Sequence, residues 1–75
     1  MNRYGIVLFH TTSSAIRGER VAKKAEIECS LIPVPREFSS DCGISLRFGW
    51  GDVERVKDIL EANNVEVSEI RELPG

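Results

Sequence analysis

The chain has 75 residues, 41% of them hydrophobic and 29% charged, a globular mix that argues against disorder and leaves room for one small domain spanning residues 1–75. Ten basic and twelve acidic side chains give a net charge of −2 and a pI near 5.3, which speaks against a module built to grip nucleic-acid phosphates. The longest apolar run, Tyr4 to Phe9, is far shorter than the ~18 residues of a membrane span, so no membrane insertion is expected.

Met1-Asn2-Arg3-Tyr4 leads straight into that run without the apolar core of a signal peptide. Together with only two cysteines, this suggests reduced thiols and a cytoplasmic location. A core built from fewer than ~80 residues seldom supplies more than ~3–5 kcal/mol. A carrier, binding module or subunit is therefore expected ahead of a self-contained enzyme.

Tyr4 to Phe9 is apolar at alternate positions on both sides, the pattern of a central strand covered on both faces. His10-Thr11-Thr12-Ser13-Ser14 follows, a cluster of hydroxyl caps opening a helix that runs to about Ala25. Its Ala15, Gly18, Val21, Ala22 and Ala25 form one face of small side chains suited to close approach on a sheet. Ile16 falls off that stripe, near the helix start.

Ile27 to Val34 alternates as a half-buried strand with Ile27, Cys29 and Leu31 inward, and Pro33 and Pro35 favour an edge position for it. A polar loop, Arg36 to Gly43, separates it from a third strand with Ile44, Leu46 and Phe48 on one face. Gly49-Trp50-Gly51-Asp52 breaks that strand, with Asp52 expected as N-cap and Trp50 as a staple over the next helix. Val53, Val56, Ile59 and Leu60 stripe that second helix, Asn63-Asn64 suits a left-handed C-cap, and a last strand is expected over Val65 to Ile70.

The order is β-α-β-β-α-β, the α+β ferredoxin-like arrangement of a four-stranded antiparallel sheet with two helices on one face. Its other face would be bare and carry apolar side chains of the first strand, a surface for a homodimer or another partner. The topology also brings the end of the first strand, the start of the first helix and the loop after the second strand to one edge. His10, Thr11, Thr12, Ser13 and Cys42 would then be neighbours.

A helix N-terminus carries free N–H donors and about half a positive charge, which can lower a nearby thiol's pKa. Gly43 would permit an unusual turn, and Arg36 could clamp an anion. The blander alternative stands beside this. Cys42 is equally a packed or incidental thiol, His10 a strand-end hydrogen bonder, and Arg36 a surface partner of Glu37 or Asp41. Asp41 directly precedes Cys42, and a carboxylate that close opposes a thiolate. Cys29 reads as core, too far from Cys42 for a disulfide. Two separated cysteines and one histidine lack zinc spacing, so neither metal nor cofactor is expected.

The stretch Leu31-Ile32-Pro33-Val34-Pro35-Arg36-Glu37-Phe38-Ser39-Ser40-Asp41-Cys42-Gly43-Ile44-Ser45-Leu46-Arg47-Phe48 resembles the Se/S carrier protein-like family, long known only as a domain of unknown function. Ile6 to Thr12 and the helix ending Leu60-Glu61-Ala62-Asn63-Asn64-Val65 are similar as well, so the resemblance covers nearly the whole chain. It implies a small cytoplasmic bacterial or archaeal protein that binds reduced sulfur or selenium on a cysteine and passes it from a donor protein to an acceptor. Carried onto this sequence, Cys42 is the carrier thiol, Gly43 its companion and Arg36 part of the preceding loop, while Asp41 replaces a small residue of the pattern. The competing expectation is a binding module holding an anion or small ligand at the Thr11–Ser14 turn, or docking a protein, without thiol chemistry.

Overall fold

A computed structural model of the chain describes residues 3–38 and 43–73. The elements are β1 (Tyr4–Leu8), α1 (Thr12–Lys24), β2 (Cys29–Pro33), β3 (Ile44–Gly49), a 3-10 turn (Trp50–Asp52), α2 (Val53–Ala62) and β4 (Glu69–Glu72). The strands form one antiparallel sheet in the order β2-β3-β1-β4, the ferredoxin-like arrangement expected from the element order. Proline at the end of β2 is tolerated because β2 is an edge strand.

The core lies between the helices and one face of the sheet. Val7, Phe9, Leu46 and Phe48 from the sheet side meet Ala15, Ala22, Val56 and Leu60 from the helices, all wholly or almost wholly buried. The small face of α1 does what its composition implies, because a Cβ at Gly18 would stand 2.9 Å from Phe9 Cζ. Gly5 is still tighter. Its missing Cβ would lie 2.5 Å from Trp50 Cε3 and 2.8 Å from Phe48 Cζ. Trp50 therefore stacks on Phe48, with ring centroids 6.1 Å apart, and roofs the start of β1 rather than stapling α2 alone.

Both helices end in the same motif. After α1, the N–H groups of Glu26 and Ile27 donate to the carbonyls of Lys23 and Ala22; after α2, those of Asn64 and Val65 donate to Glu61 and Leu60. This is the Schellman pattern, with a left-handed residue one place past the cap. Asn64 takes that role at φ 54°, as its residue type suggests, whereas Glu26 takes it at φ 63° with a full side chain.

Several expectations are corrected. The last strand begins at Glu69, not Val65, because Val65 and Val67 pack on the core before pairing with β1 starts at the Ser68 N–H to Leu8 carbonyl bond. Asp52 sits at the N-cap position of α2, but its carboxylate reaches Arg55 at 3.5 Å instead of capping a backbone N–H. Cys29 is half-buried rather than core, and Ile16 is 44% exposed.

The largest departure concerns the helix-free face. Ile6 and Leu8 point there, paired across the sheet with Arg47, Ser45, Arg71 and Glu69, yet they are 0% and 1% exposed. Ser45 on the same face is also fully buried, its hydroxyl donating to the Ile32 carbonyl at 3.3 Å. Both helices lie on the other face; on this one Arg47 lies over the Tyr4 ring, and the described part of the connection between β2 and β3 approaches β4. Its Phe38 ring lies 5.1 Å from the guanidinium carbon of Arg71 on β4. The apolar surface expected to serve a homodimer is thus buried within the chain.

Two stability outcomes follow from this packing. Gly5→Ala should destabilise by about 3 kcal/mol, because two large rings must shift. Gly18→Ala should cost less, since about 1 kcal/mol of helix propensity offsets its overlap with Phe9. Urea denaturation of the two variants beside the parent tests this ordering. Glu26→Gly should stabilise by roughly 0.5–1 kcal/mol by removing the left-handed strain on a side-chain-bearing residue, whereas Asn64→Gly should change little. A fall in the urea midpoint of Glu26→Gly would contradict that assignment.

Candidate functional site

β1 ends at Leu8, which pairs with Ser45 near the start of β3, and β2 ends at Pro33, which pairs with Ile44. The ladder continues one bond further, from the Val34 N–H to the Gly43 carbonyl at 3.3 Å. His10 lies two residues past Leu8 and Gly43 two residues before Ser45, so both come to the same end of the sheet, where α1 begins. Of the expected site residues, His10, Thr11, Thr12, Ser13 and Gly43 share this end. Arg36 lies on the connection that leaves from it, and Cys42 lies outside the described residues.

The local chemistry of α1 explains the start of that helix. Thr11 adopts extended backbone and its hydroxyl accepts from the Ser14 N–H at 3.1 Å, making it the N-cap. The same hydroxyl donates to Ser14 Oγ at 3.1 Å. Thr11 thus takes the capping role expected of this hydroxyl cluster, and the hydroxyl also proposed to bind a ligand is engaged within the cap. Thr12 and Ser13 are exposed in the first turn. No acidic residue occupies that turn, while Lys23 and Lys24 fill the last one, so the positive end of the helix dipole is not neutralised from within the helix.

His10 is exposed and makes no hydrogen bond to another described residue. Arg36 is exposed in a turn closed by the Phe38 N–H to Pro35 carbonyl bond at 3.0 Å, and no ion pair joins it to Glu37. Gly43 is exposed, with nothing within 4 Å of where a Cβ would be, so space does not require glycine there. Among the described residues no group of three or more His, Cys, Asp or Glu side chains gathers as metal ligands would. None of the described helices is long and apolar enough to cross a membrane.

A cleft of about 730 Å³ opens at the opposite end of the sheet, between Arg3, Cys29, Ser30, Arg47 and Trp50. Its cations are already engaged. Arg3 pairs with Glu72, and the Arg47 guanidinium lies 4.9 Å over the Tyr4 ring. Glu28 and Asp52 line the same cleft and balance the two arginines, so it is poorly suited to concentrate an anion. Burial pushes the Cys29 thiol up from 9.0; Lys23 draws it down and Glu19 adds to the rise. Cys29 is therefore protonated at neutral pH, the opposite of a carrier thiolate.

Two residues that sequence reasoning did not single out bear on the candidate end. Phe38 and Arg71 fix the described part of the β2–β3 connection to the far side of the sheet. The available signal was a lone aromatic inside an otherwise polar loop.

The model of the Putative Se/S carrier protein-like family matches residues 4–72. Neither a curated protein nor a solved structure matches the chain.

In a Cys42→Ser variant the remaining thiol should react with iodoacetamide about tenfold more slowly at pH 7 in the folded chain than in urea. Because the folded pKa is raised, the thiol's contribution to stability is present below about pH 9 and is lost as pH rises through the folded value. Equal rates in the folded and unfolded chain would refute the burial argument.

Proposed function

The chain belongs to the Se/S carrier protein-like family, and from that premise we propose that Cys42 accepts a sulfur or selenium atom from a donor protein and hands it to an acceptor. The family match over residues 4–72 carries this reading, and its span supports treating the chain as one domain; reduced thiols, which the transfer needs, fit action in the cytoplasm. The arrangement of the sheet agrees with it. Gly43, next in sequence to Cys42, stands at the end where His10 and the N-terminus of α1, which has no acidic residue in its first turn, emerge.

The transfer needs no external oxidant. The Cys42 thiolate attacks the outer sulfur of a donor persulfide, a new S–S bond forms to Cys42, the donor S–S bond breaks, and the donor thiolate leaves with the bonding pair. The transferred sulfur keeps its oxidation state, and a selenium atom follows the same course. His10 would take the thiol proton at the outset, and the backbone N–H groups around Thr12 and Ser13 with Arg36 would stabilise the anion. A persulfide carrier requires a docking surface for each partner and no deep cavity, which suits a chain of this length.

The direct test uses Cys29→Ser, so that one thiol remains, incubated with glutathione persulfide and weighed intact. The parent background should gain one sulfur atom and lose it to an added thiol, and Cys42→Ser should gain none. Its alkylation profile should place the Cys42 pKa below the free value of about 8.5, and His10→Ala should slow loading at neutral pH by about tenfold. An unloaded chain with a thiol at or above that value would favour the anion-binding module.

A further inference from the structure

The two edges of the sheet, β2 and β4, are built differently. β4 reads Glu69-Ile70-Arg71-Glu72, three charged residues in four, with Arg71 paired to Glu69 and Glu72 to Arg3. Charge on an edge strand discourages the addition of another strand. β2 reads Cys29-Ser30-Leu31-Ile32-Pro33 and carries no charge. Its Leu31 and Ile32 are half-buried, Leu31 on the helical face opposite Leu46 and Ile32 on the other face opposite Ser45.

The ladder fixes which backbone groups of β2 point away from β3. The Val34 N–H donates to the Gly43 carbonyl, so these two residues form a hydrogen-bonded pair. Bonded and non-bonded pairs alternate along an antiparallel ladder, which makes Ile32 with Ser45 and Ser30 with Arg47 bonded pairs as well. The Ile32 carbonyl, which also accepts from the Ser45 hydroxyl, points the same way. Cys29, Leu31 and Pro33 therefore turn their backbone groups outward, and no described residue pairs with them. Proline is tolerated at such a position because its missing N–H would have faced out.

We propose that this edge pairs with the β2 edge of a second copy of this chain, antiparallel about a two-fold axis at Leu31. The outward groups match their own image in that register. Leu31 exchanges both bonds with its counterpart, and each Cys29 N–H reaches the Pro33 carbonyl of the other copy. The gap left by proline falls at the two ends of the pair, where water satisfies the Cys29 carbonyl. The two four-stranded sheets become one of eight strands, and the Leu31 side chains meet on the helical face. The flank of α1 beside β2 adds no net charge: Glu19 and Lys23, both close enough to act on the Cys29 thiol, pair with each other at 3.3 Å. The pairing also brings Pro33 of the second copy beside Cys29 and Ser30, which line the cleft. Nothing in this depends on Cys42.

The test is amide hydrogen exchange of the full parent chain under a reducing agent, at about 10 µM and about 1 mM, beside sedimentation velocity at the same concentrations. In a single copy the Leu31 N–H is free, whereas the Ile32 N–H is held in the ladder at both concentrations. At the higher one the chain should sediment as a dimer, and exchange at Leu31 should slow by about 30-fold or more. Leu31→Pro deletes the outward donor without touching the β2–β3 ladder and should weaken association by about 10- to 100-fold. Leu31→Val keeps the N–H and should stay within about threefold of the parent. A parent that is monomeric at about 1 mM with free exchange at Leu31 overturns the proposal and leaves the edge to an extended segment of another protein. A dimer whose Leu31 amide still exchanges freely also overturns it, because that dimer is built on another surface. If Leu31→Pro does not fold, the exchange of the parent decides alone.

Discussion

The fold depends on one constraint: β1 is apolar on both sides and therefore has to be covered on both sides. Val7 faces the helices and Ile6 and Leu8 face away, yet all three are buried. A sheet with two helices can cover one face only. In this chain the second face carries long polar side chains stacked on rings: Arg47 lies over Tyr4, and Arg71 of β4 lies against Phe38 from the described part of the β2–β3 connection. Shelter of that kind uses few residues and needs no further element of regular structure.

The covered face and the helical face are built by different means. On the helical side, closeness is obtained by deletion: Gly5 and Gly18 each leave out a Cβ that would collide with aromatic rings. Phe9, Phe48 and Trp50 then fill the space between sheet and helices, and few large aliphatic residues are needed from α1. Dispersion contacts at that density are what a chain of this length has in place of a large core. On the other side, the cover is one aromatic ring held by a cation, with a buried hydroxyl satisfied by a backbone carbonyl beneath it. Polar groups are tolerated there because each has a partner; no buried side-chain polar atom among the described residues lacks one.

The strand order and the placement of His10, α1 and the β2–β3 connection at one sheet end were legible in the sequence, because periodicity gave the elements and handedness left few topologies. The Asn64 cap was legible for the same local reason. What was not legible depended on side chains meeting across the sheet. Alternation marks Ser45 as outward and polar, but whether outward means wet depends on where a distant loop lies. The start of β4 was misplaced because Val65 and Val67 are β-branched residues that pack on the core without pairing, and burial and pairing give the same sequence signal. Glu26 in a left-handed conformation was invisible, since tertiary packing of Ile27 overrode the residue's own preference.

The described part of the connection limits how such a chain can change. A loop without tertiary contacts can vary its length and composition with little effect on stability. This one is tied to the sheet at two points, through Phe38 against Arg71 of β4 and through the Val34 N–H to Gly43 carbonyl bond that extends the ladder. A substitution at Phe38 or Arg71 removes a tertiary contact, whereas one at Arg36, exposed in the turn, changes surface charge alone. In so small a fold, surface not needed for burial is scarce, so exposed turn positions of this kind are where composition can vary without loosening the sheet.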